Sequence, residues 1–357
     1  MTADDGNMIR APAERLGRFC TEILLNIGAD APSAEASSRA MMHGSIHGID
    51  SHGVRLLSHY VTAFRGGRLN KTPDMKLDHI RSGTALLDAD HAHGALATFT
   101  AMNQACDMAK EGGIAAVGIR NSSHFGPAGA YTMAGAGRGM IALAFCNSDS
   151  FVRLHDGASR FHGTNPISMA VPTAAANPWL LDMATSAVPY NRVLLYRSLE
   201  QTLPENVASD PAGFDTSDPW AAEMLAPVGA QFGFKGAGLA GIAEIFSAVL
   251  TGMRLSPEIP PMNSEDMETP RELGAFVIAL DPDGFIGAEL VAAGVKRYID
   301  LLRSSSARPG LQVLAPGDRE WAEATRRREH GIPLDPDTVL SMEEMGTRCG
   351  VPLPFSD

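Results

Sequence analysis

Apolar residues in the first seventy positions recur every three or four residues, which is the spacing of a helix that buries one face. One such stripe covers residues 16–24 and another covers residues 54–64, and the small-residue segment at about 33–46 has the composition of a further helix. The pair Gly66-Gly67 is typical of a helix C-terminus. This part of the chain is therefore predicted to be helical.

From about residue 76 the pattern changes to short apolar runs bounded by Gly, Asn and Pro, as in buried strands. Predicted strands cover residues 84–87, 114–119, 141–146, 167–171, 179–183 and 275–280, and predicted helices cover about 94–111, 126–137, 238–254 and 288–302. The linker between the strands at 167–171 and 179–183 is too short for a crossover helix, so these strands should be antiparallel. We expect an α/β fold with a mixed, largely antiparallel sheet flanked by helices, not a doubly wound dinucleotide fold.

The chain becomes charged and helical again from about residue 316 and ends in Pro352-Leu353-Pro354 and a short tail. We expect this last segment to pack on the N-terminal helices. The predicted domains are a helical domain, residues 1–75 plus 316–357, and an α/β domain, residues 76–315.

Composition and charge narrow the class of protein. The chain has 357 residues, 45% of them hydrophobic and 20% charged, so a sizeable core is possible and global disorder is excluded. The formal net charge of −12 argues against nucleic acid and anionic membranes as partners. It does not argue against small anionic ligands, because these are held by local cations.

The cysteines and the apolar runs predict a compartment. Cys20, Cys106, Cys146 and Cys349 are far apart and form no CxxC pair, so free thiols in a reducing compartment are expected. Residues 1–12 have no apolar segment of the kind that signal peptides carry. The longest unbroken apolar run, residues 140–146, is too short to span a bilayer. These features predict a soluble cytoplasmic protein.

Residues 47–60 concentrate imidazoles, a carboxylate, a hydroxyl and a guanidinium in one short segment. The pair Asp50-Ser51 is of the kind that starts a helix, so His52 is expected in a first helical turn. The helix dipole there disfavours imidazolium, which suits a histidine that exchanges a proton near pH 7. Arg55 follows it and is a natural clamp for a carboxylate, because a guanidinium binds carboxylates through two N–H groups.

Three further segments place polar residues at strand ends. His124 follows a predicted strand in a loop of small residues that suits ligand approach, although it can equally cap the next helix. Thr164 and Asn165 precede another strand and can simply satisfy a turn. The segment 182–186 ends a strand with a carboxylate and two hydroxyls, and either a helix cap or a ligand contact explains it.

Residues 236–241 match GxGxxG literally, but the residues before them are too Gly-rich for a central strand and a Pro-rich loop follows. A dinucleotide fingerprint is therefore disfavoured. One alternative is a glycine-faced helix that packs closely on a neighbour. Another is an anion site formed by Lys235 and the helix N-terminus.

A metal site is the main alternative for the histidines. His43 and His47 are spaced to share a helix face, and a metal-dependent hydrolase or lyase would use His47, His52 and His124. The chain has no HExxH motif and no tight cluster of His, Cys and carboxylates, so no metal is predicted. It also has no GxSxG nucleophile elbow.

Taken together, five motifs in order resemble the type-2 malate/L-lactate dehydrogenase family, which includes ureidoglycolate and sulfolactate dehydrogenases, 2,3-diketogulonate reductase and piperideine-2-carboxylate reductase. The motifs are Gly48-Ile49-Asp50-Ser51-His52-Gly53-Val54, Ser123-His124-Phe125-Gly126, Gly163-Thr164-Asn165-Pro166, Leu181-Asp182-Met183-Ala184-Thr185-Ser186 and Lys235-Gly236-Ala237-Gly238-Leu239. The resemblance runs from about residue 12 to 353. It implies hydride transfer between NAD, or NADP, and a small 2-hydroxy or 2-oxo acid, in a homodimer with the active site near the subunit interface.

The resemblance also implies roles for single residues. His52 would exchange the proton at the substrate oxygen with Ser51 orienting it, and His124 carries that role in some members. Thr164 would touch the substrate carboxylate. The residues implied to hold the dinucleotide are His124, Phe125, Gly126, Pro127, Ala128, Asp182, Met183, Ala184, Thr185, Ser186, Lys235, Gly236, Gly317 and Asp318.

Two departures from the family pattern keep alternatives open. Many members place the arginine four residues after the histidine, whereas Arg55 comes three after His52. In residues 187–192 this chain has neither the aspartate nor the Gly-Lys pair of other members, which weakens an alternative function as a cyclic imine-acid reductase. A further alternative is a relative that binds the cofactor without turnover.

Overall fold

A computed structural model of the chain describes residues 8–198 and 200–355. Its helices are α1 (Ala13–Asn26), α2 (Ala31–Ile46), α3 (Leu57–Gly66), α4 (Gly94–Gly112), α5 (Gly129–Ala136), α6 (Tyr190–Ser198), α7 (Gly233–Glu244), α8 (Ala288–Arg303), α9 (Asp318–His330) and α10 (Pro336–Cys349). Its strands are β1 (Ile9–Ala11), β2 (Lys76–Arg81), β3 (Thr84–Asp88), β4 (Ile114–Ser122), β5 (Ile141–Cys146), β6 (Val152–Arg153), β7 (Arg160–His162), β8 (Ile167–Val171), β9 (Trp179–Met183), β10 (Ala208–Ser209), β11 (Met224–Leu225), β12 (Leu273–Leu280) and β13 (Ile332–Leu334).

The main sheet has seven strands in the order β2-β3-β4-β12-β5-β8-β9. Only β3 and β4 are parallel, and every other neighbouring pair in this sheet is antiparallel. The register of β8 on β9 joins Ile167 to Met183 and Val171 to Trp179, as the short linker between them requires. The predicted fold class, a mixed and largely antiparallel sheet flanked by helices, is confirmed.

Small side chains let helices lie close to this sheet. α4 covers β4 and β12, and its buried face is rich in alanine and also carries Phe99, Met102 and Cys106. α5 approaches β5 so closely that a Cβ on Gly135 would meet the Cβ of Ala142 at 2.5 Å. This close contact fixes the C-terminal end of α5, the helix that follows the His124 loop, on β5.

The N-terminal helices share their core with the C-terminal end of the chain. Leu16, Phe19 and Phe64 pack in one apolar cluster with Ile332 and Met342. β1 pairs antiparallel with β13, which closes this part of the molecule. The domain bounds 1–75 plus 316–357 and 76–315 remain a prediction, and residues 1–7 and 356–357, including most of the segment judged to lack a signal peptide, lie outside the described residues.

A small second sheet, in the order β10-β11-β6-β7, lies beyond the main sheet. Its strands have two or three residues each, which is too short for a periodic pattern, and the sequence did not predict them. Val152, Val207 and Leu225 form a separate apolar cluster with Val193 of α6. Asp149 lies just before β6 of this sheet, and it pairs with Arg271 in the candidate site.

Candidate active site

The predicted helix start at Asp50-Ser51 is wrong. Residues Asp50–His52 and Val54–Leu56 form two 3-10 turns, and α3 begins at Leu57. The Asp50 carboxylate does not cap a helix, because it accepts hydrogen bonds from the buried guanidinium of Arg327, one of them at 2.9 Å. Arg327 also donates to the Ser45 carbonyl at 2.7 Å, so α9 fixes the turn that carries His52.

The structure brings the two predicted histidines together. The rings of His52 and His124 are nearly parallel, at 23°, with centroids 5.7 Å apart. Ser51 Oγ lies 2.9 Å from His52 Nδ1, as the orienting role requires. Tyr60 contributes a hydroxyl 2.8 Å from His124 Nδ1, which the sequence did not reveal because Tyr60 is also part of an apolar helical stripe.

Both rings are neutral at pH 7. Burial lowers the pKa of His52 to about 4. Burial, followed by the neighbouring His52 and Arg271, lowers the pKa of His124 well below its usual value. Because a neutral imidazole can accept a proton, this pair is prepared to remove a proton from a bound hydroxyl group.

Arg271 is a site residue that sequence reasoning missed. Its side chain is 2% exposed, pairs with Asp149 and donates from Nε to the Pro260 carbonyl at 2.9 Å. Nη1 is buried and has no hydrogen-bond partner within the part of the chain that the structure describes. The charge of Arg271 also helps to lower the pKa of His59 and of His124, so it acts on one ring of the imidazole pair. A single arginine after a Pro-rich loop carries no signal in one sequence.

Arg55, by contrast, is not brought to the imidazole pair. Its guanidinium lies 3.7 Å from Asp335 and 3.9 Å from Asp337, at the start of α10, and its side chain is 48% exposed. Arg55, three residues after His52, therefore faces the start of α10. Its predicted role as carboxylate clamp is untested, and the geometry favours Arg271.

The loop after β4 carries His124 and leads to α5, whose first residue is hydrogen-bonded to β9. Phe125 and Ala128 are buried, so of these residues mainly the backbone is available to a ligand, and Gly126 has a φ of 74° that favours glycine. Pro127 is buried as well. Asp182 Oδ2 accepts a hydrogen bond of 2.8 Å from the Gly129 amide at the start of α5. Burial raises the pKa of Asp182 to about 6, and Glu320 adds to the effect.

The predicted dinucleotide residues form a continuous path through backbone contacts. The Thr185 amide donates to the Thr164 carbonyl, and the Val228 amide donates to the Thr185 carbonyl, both at 2.9 Å. A Cβ on Gly236 would clash with the Val228 carbonyl. Lys235 is exposed and lies over the Phe232 ring at 5.3 Å, so its ammonium is available to an anion.

The hydroxyls of Thr185 and Ser186 already donate hydrogen bonds within the protein. Thr185 Oγ1 donates to the carbonyls of Thr164 and Asn165 at 3.1 Å, and Ser186 Oγ donates to the Val188 carbonyl at 2.9 Å. Both side chains are buried, whereas Met183 and Ala184 are half-buried. Thr185 and Ser186 thus shape the path rather than offer their hydroxyls to a ligand.

The GxGxxG segment lies inside α7, which begins at Gly233, whereas Gly229 has a φ of 119° and precedes a 3-10 turn. Gly236 packs tightly on Val228, whereas Gly238 and Gly241 have open space where a Cβ would lie. The interpretation as a glycine-faced packing helix therefore holds at one glycine of the three. The predicted helix at 238–254 starts earlier, at Gly233, and changes to a π-helical turn at Ile245–Val249.

Glu244 is a second residue that the sequence did not single out. It is 7% exposed and accepts hydrogen bonds from Asn165 Nδ2 at 2.7 Å and from the amide and hydroxyl of Ser256 at 2.6 and 2.7 Å. Asn147 Nδ2 lies 3.4 Å from the same carboxylate. The carboxylate thereby joins α7 to the turn that presents Thr164.

Gly317 and Asp318 lie at the other end of β9. The Leu180 amide is 3.4 Å from the Pro316 carbonyl, and Gly317 has a φ of 98° against the Trp321 ring. The Asp318 carboxylate pairs with Arg303 and accepts from the Ala315 amide at 2.8 Å. Gly317 therefore borders the path, whereas the Asp318 side chain is engaged in an ion pair.

The rings of His43 and His47 lie at the C-terminal end of α2, tilted by 34° with centroids 4.3 Å apart. Within residues 8–198 and 200–355 no group of three or more His, Cys, Asp or Glu side chains is arranged to hold a metal ion. The structure therefore offers no observation that favours the hydrolase or lyase alternative.

Comparison with known proteins gives matches over nearly the whole chain. A family model described as malate/L-lactate dehydrogenase matches residues 11–343. The malate dehydrogenase of Pyrococcus abyssi is 30% identical over 355 residues, covering 97% of each chain. The ureidoglycolate dehydrogenase (NAD(+)) of Escherichia coli K12 is 29% identical over 91% of this chain and 92% of its own.

Solved structures agree with the sequence matches. The crystal structure of malate dehydrogenase from Entamoeba histolytica superposes with a TM-score of 0.92 and 26% identity, covering 98% of this chain and all of the other. The fold and the family model thus point to the same group of proteins. The chain belongs to the malate/L-lactate dehydrogenase family and is an oxidoreductase of the dehydrogenase type.

Proposed function

We propose that this protein interconverts a small 2-hydroxy acid and the corresponding 2-oxo acid with NAD, or alternatively NADP, as the redox cofactor. The observation that carries the proposal is the neutral His52–His124 pair together with the buried, unpartnered Nη1 of Arg271, whose charge acts on His124. A proton acceptor and a free guanidinium N–H are the two groups that a hydroxy acid needs, one for its hydroxyl and one for its carboxylate.

Arg271, rather than Arg55, is proposed to hold the substrate carboxylate. Nη1 of Arg271 is buried and unpartnered, so a carboxylate that reached it would satisfy a donor that is otherwise left without a bond. Arg55 is half exposed and already faces two carboxylates. Thr164, which is half-buried at the end of the turn held by Glu244 and Asn165, is proposed as a further substrate contact.

The cofactor is proposed to lie along the path from Gly317 past β9 to Lys235 and Gly236. The missing side chain at Gly236 and the backbone contacts of Thr185 support this placement, because a dinucleotide needs close approach to main chain. Lys235 would meet a phosphate. When bound, the nicotinamide accepts or supplies the hydride at substrate C2, and the protein positions it beside the imidazole pair.

A homodimer is proposed from an exposed apolar face. The helical stretch Ala230–Val249 is long and apolar enough to cross a membrane by length and composition alone, with 39% of its most apolar window buried. Its exposed residues include Leu239, Ile242, Ile245 and Val249, the last at 62%. Because α7 also carries Lys235 and packs on β5 and β7, we assign this face to a second copy of the chain rather than to lipid.

We also propose a reducing compartment, the cytoplasm. All four cysteines are free, and three of them are buried. Burial raises the pKa of the Cys20 and Cys146 thiols to about 12, so these thiols stay protonated and unreactive.

The test of the function is a panel of 2-hydroxy acids, 2-oxo acids and cyclic imine acids assayed with NAD(H) and NADP(H) at the nicotinamide absorbance. We expect turnover of at least one hydroxy acid, and we expect His52→Ala to abolish it while NADH still binds. NADH binding without turnover of any compound in the panel would show a ligand-binding relative instead.

Substrate placement is tested by Arg271→Lys, which keeps the pairing with Asp149 but removes Nη1. We expect the KM for the hydroxy acid to rise about 10–100-fold, because one charge-assisted hydrogen bond is lost. Arg55→Met is the matched control and should change KM less than about threefold. If Arg55→Met raises KM as much as Arg271→Lys does, the carboxylate lies at Arg55.

A further inference from the structure

The imidazoles of the candidate site are both held at Nδ1, but by hydroxyl groups in different surroundings. The Tyr60 hydroxyl is 2.8 Å from His124 Nδ1, and Ser51 Oγ is 2.9 Å from His52 Nδ1. Tyr60 is only 2% exposed, whereas Ser51 is half-buried. This difference restricts the tautomer of His124 and leaves that of His52 free.

The Tyr60 hydroxyl has one available acceptor. Within the described residues its only hydrogen-bond partner is His124 Nδ1, and Tyr60 is almost completely buried. Burial raises the pKa of Tyr60 above its usual value, so the phenol keeps its hydrogen. If the hydroxyl accepted from Nδ1–H, its own hydrogen would be buried without an acceptor. Tyr60 therefore donates to Nδ1, and neutral His124 carries its proton on Nε2.

Ser51 imposes no such restriction on His52. Because Ser51 is half-buried, its hydroxyl can accept from His52 Nδ1–H and give its own hydrogen to solvent. In that arrangement His52 Nε2 is a bare nitrogen. The two rings, whose centroids are 5.7 Å apart, then carry one donor, His124 Nε2–H, and one acceptor, His52 Nε2.

We propose that Tyr60 is a positioning residue that fixes His124 as a hydrogen-bond donor through Nε2–H, so that His52 alone exchanges the substrate proton. This inference rests on the proposed function. In the oxidation direction the C2–H bond breaks and its electron pair leaves as hydride to the nicotinamide. The hydroxyl proton passes to His52 Nε2, and C2–O becomes a carbonyl. His124 Nε2–H keeps its hydrogen bond to that oxygen and is not transferred.

The tautomer of His124 can be read directly from the free enzyme. In ¹⁵N-histidine-labelled full-length protein at pH 7.5 (about three units above the His52 pKa near 4), the ring nitrogen shifts separate Nε2–H from Nδ1–H. The His124 signals are assigned with His124→Asn. We expect Nε2–H in the wild type and a shift toward a mixture of tautomers in Tyr60→Phe. Nδ1–H in the wild type would overturn the proposal.

Tyr131→Phe is the matched control for the loss of a buried tyrosine hydroxyl. The Tyr131 hydroxyl donates to the Phe125 carbonyl and touches no imidazole. We expect this variant to lose stability without changing the His124 tautomer signals. An equal change of the His124 signals in both tyrosine variants would mean that packing, not the hydroxyl of Tyr60, sets the tautomer.

Kinetics give the second readout. We expect Tyr60→Phe to lower kcat about 10–100-fold with KM changed less than about threefold, because a donor aimed at the transition-state oxygen is weakened. His124→Asn, which keeps an N–H donor, should retain more activity than His124→Ala. An unchanged kcat in Tyr60→Phe overturns the proposal. Since the tautomer measurement needs no substrate, its result is independent of whether the proposed function is correct.

Discussion

At the scale of single residues, the site depends on what burial does to ionisable groups. His52 and His124 keep an exposed edge but lie in surroundings that disfavour a charged ring, so both are neutral at pH 7. Arg271 is a buried charged group of the site. It pairs with Asp149, and its Nη1 has no hydrogen-bond partner among the described residues. An anionic substrate at this N–H would offset the burial and raise the pKa values of the imidazoles.

The pH dependence of activity follows from the His52 pKa near 4. With saturating oxidised cofactor, we expect kcat/KM for the hydroxy acid to stay level from about pH 8 to about pH 5. Below about pH 4 it should fall roughly tenfold per pH unit, because the ring must be neutral to accept the proton. If the acid side of the kcat/KM profile instead had its midpoint near pH 6.5–7, the assignment of His52 would be contradicted.

The lowered histidine pKa values also make the folded protein less stable at acid pH, so the pH experiment needs a control for unfolding. The unfolded chain binds protons at its histidines below about pH 6.5, whereas folded His52 and His59 bind them only near pH 4. Their contribution to stability is therefore complete above about pH 6.5 and is lost as the pH falls toward 4. Circular dichroism at each pH, and recovery of activity on return to pH 7.5, separate unfolding from titration.

At the scale of elements, α7 connects the parts of the site. Gly236 lies against the Val228 backbone, Lys235 faces the proposed phosphate position, and Glu244 holds the Asn165 turn. The helix ends in a π-helical turn, where the Ser247 carbonyl lies directly against Gly274 of β12. Irregular turns of this kind are common at functional sites.

Two glycine variants of α7 test this role. Gly236→Ala places a Cβ against the Val228 carbonyl, so the helix start must move. We expect the Kd for NADH, measured by fluorescence, to rise at least about tenfold. Gly238→Ala meets no atom within 4 Å and replaces an exposed helical glycine, so it should raise stability by up to about 1 kcal/mol without changing that Kd. Equal Kd values for the two variants would place the cofactor elsewhere.

At the scale of the whole molecule, the site is assembled from distant parts of the chain. The His52 turn is held from α9 by Arg327, the His124 loop lies at the end of β4, and Arg271 arrives at the start of β12. The apolar face of Ala230–Val249 is left exposed in one copy of the chain. The proposed homodimer would cover this face next to the cofactor path.

Ile245→Asp tests the homodimer. Ile245 is 54% exposed, so the single chain should tolerate the change, whereas an interface would bury an unpaired charge. We expect the dimer Kd to rise at least about 100-fold, measured by light scattering and sedimentation. Ile80→Asp, at a 62% exposed position on the edge strand β2, is the control and should leave the mass unchanged. A monomeric wild type would contradict the proposed dimer.

Much of the fold was predictable because its signals are local. Strands Ile141–Cys146, Ile167–Val171 and Trp179–Met183 are apolar runs with clear boundaries, and their positions match the prediction. The helix start at Asp50 was not predictable in this way. The Asx/Ser pair there is a genuine capping signal, but Arg327, 277 residues away in sequence, takes the carboxylate.

The sequence by itself determined the fold class, the family and the candidate histidines, because hydrophobic periodicity and motif order are written along the chain. Only the tertiary structure decided how these residues are used. It set His52 against His124, gave His124 a hydroxyl partner in Tyr60, turned Arg55 toward α10 and buried Arg271 with an unpaired N–H. These relations depend on burial and on contacts between residues far apart in the chain, which no local pattern encodes.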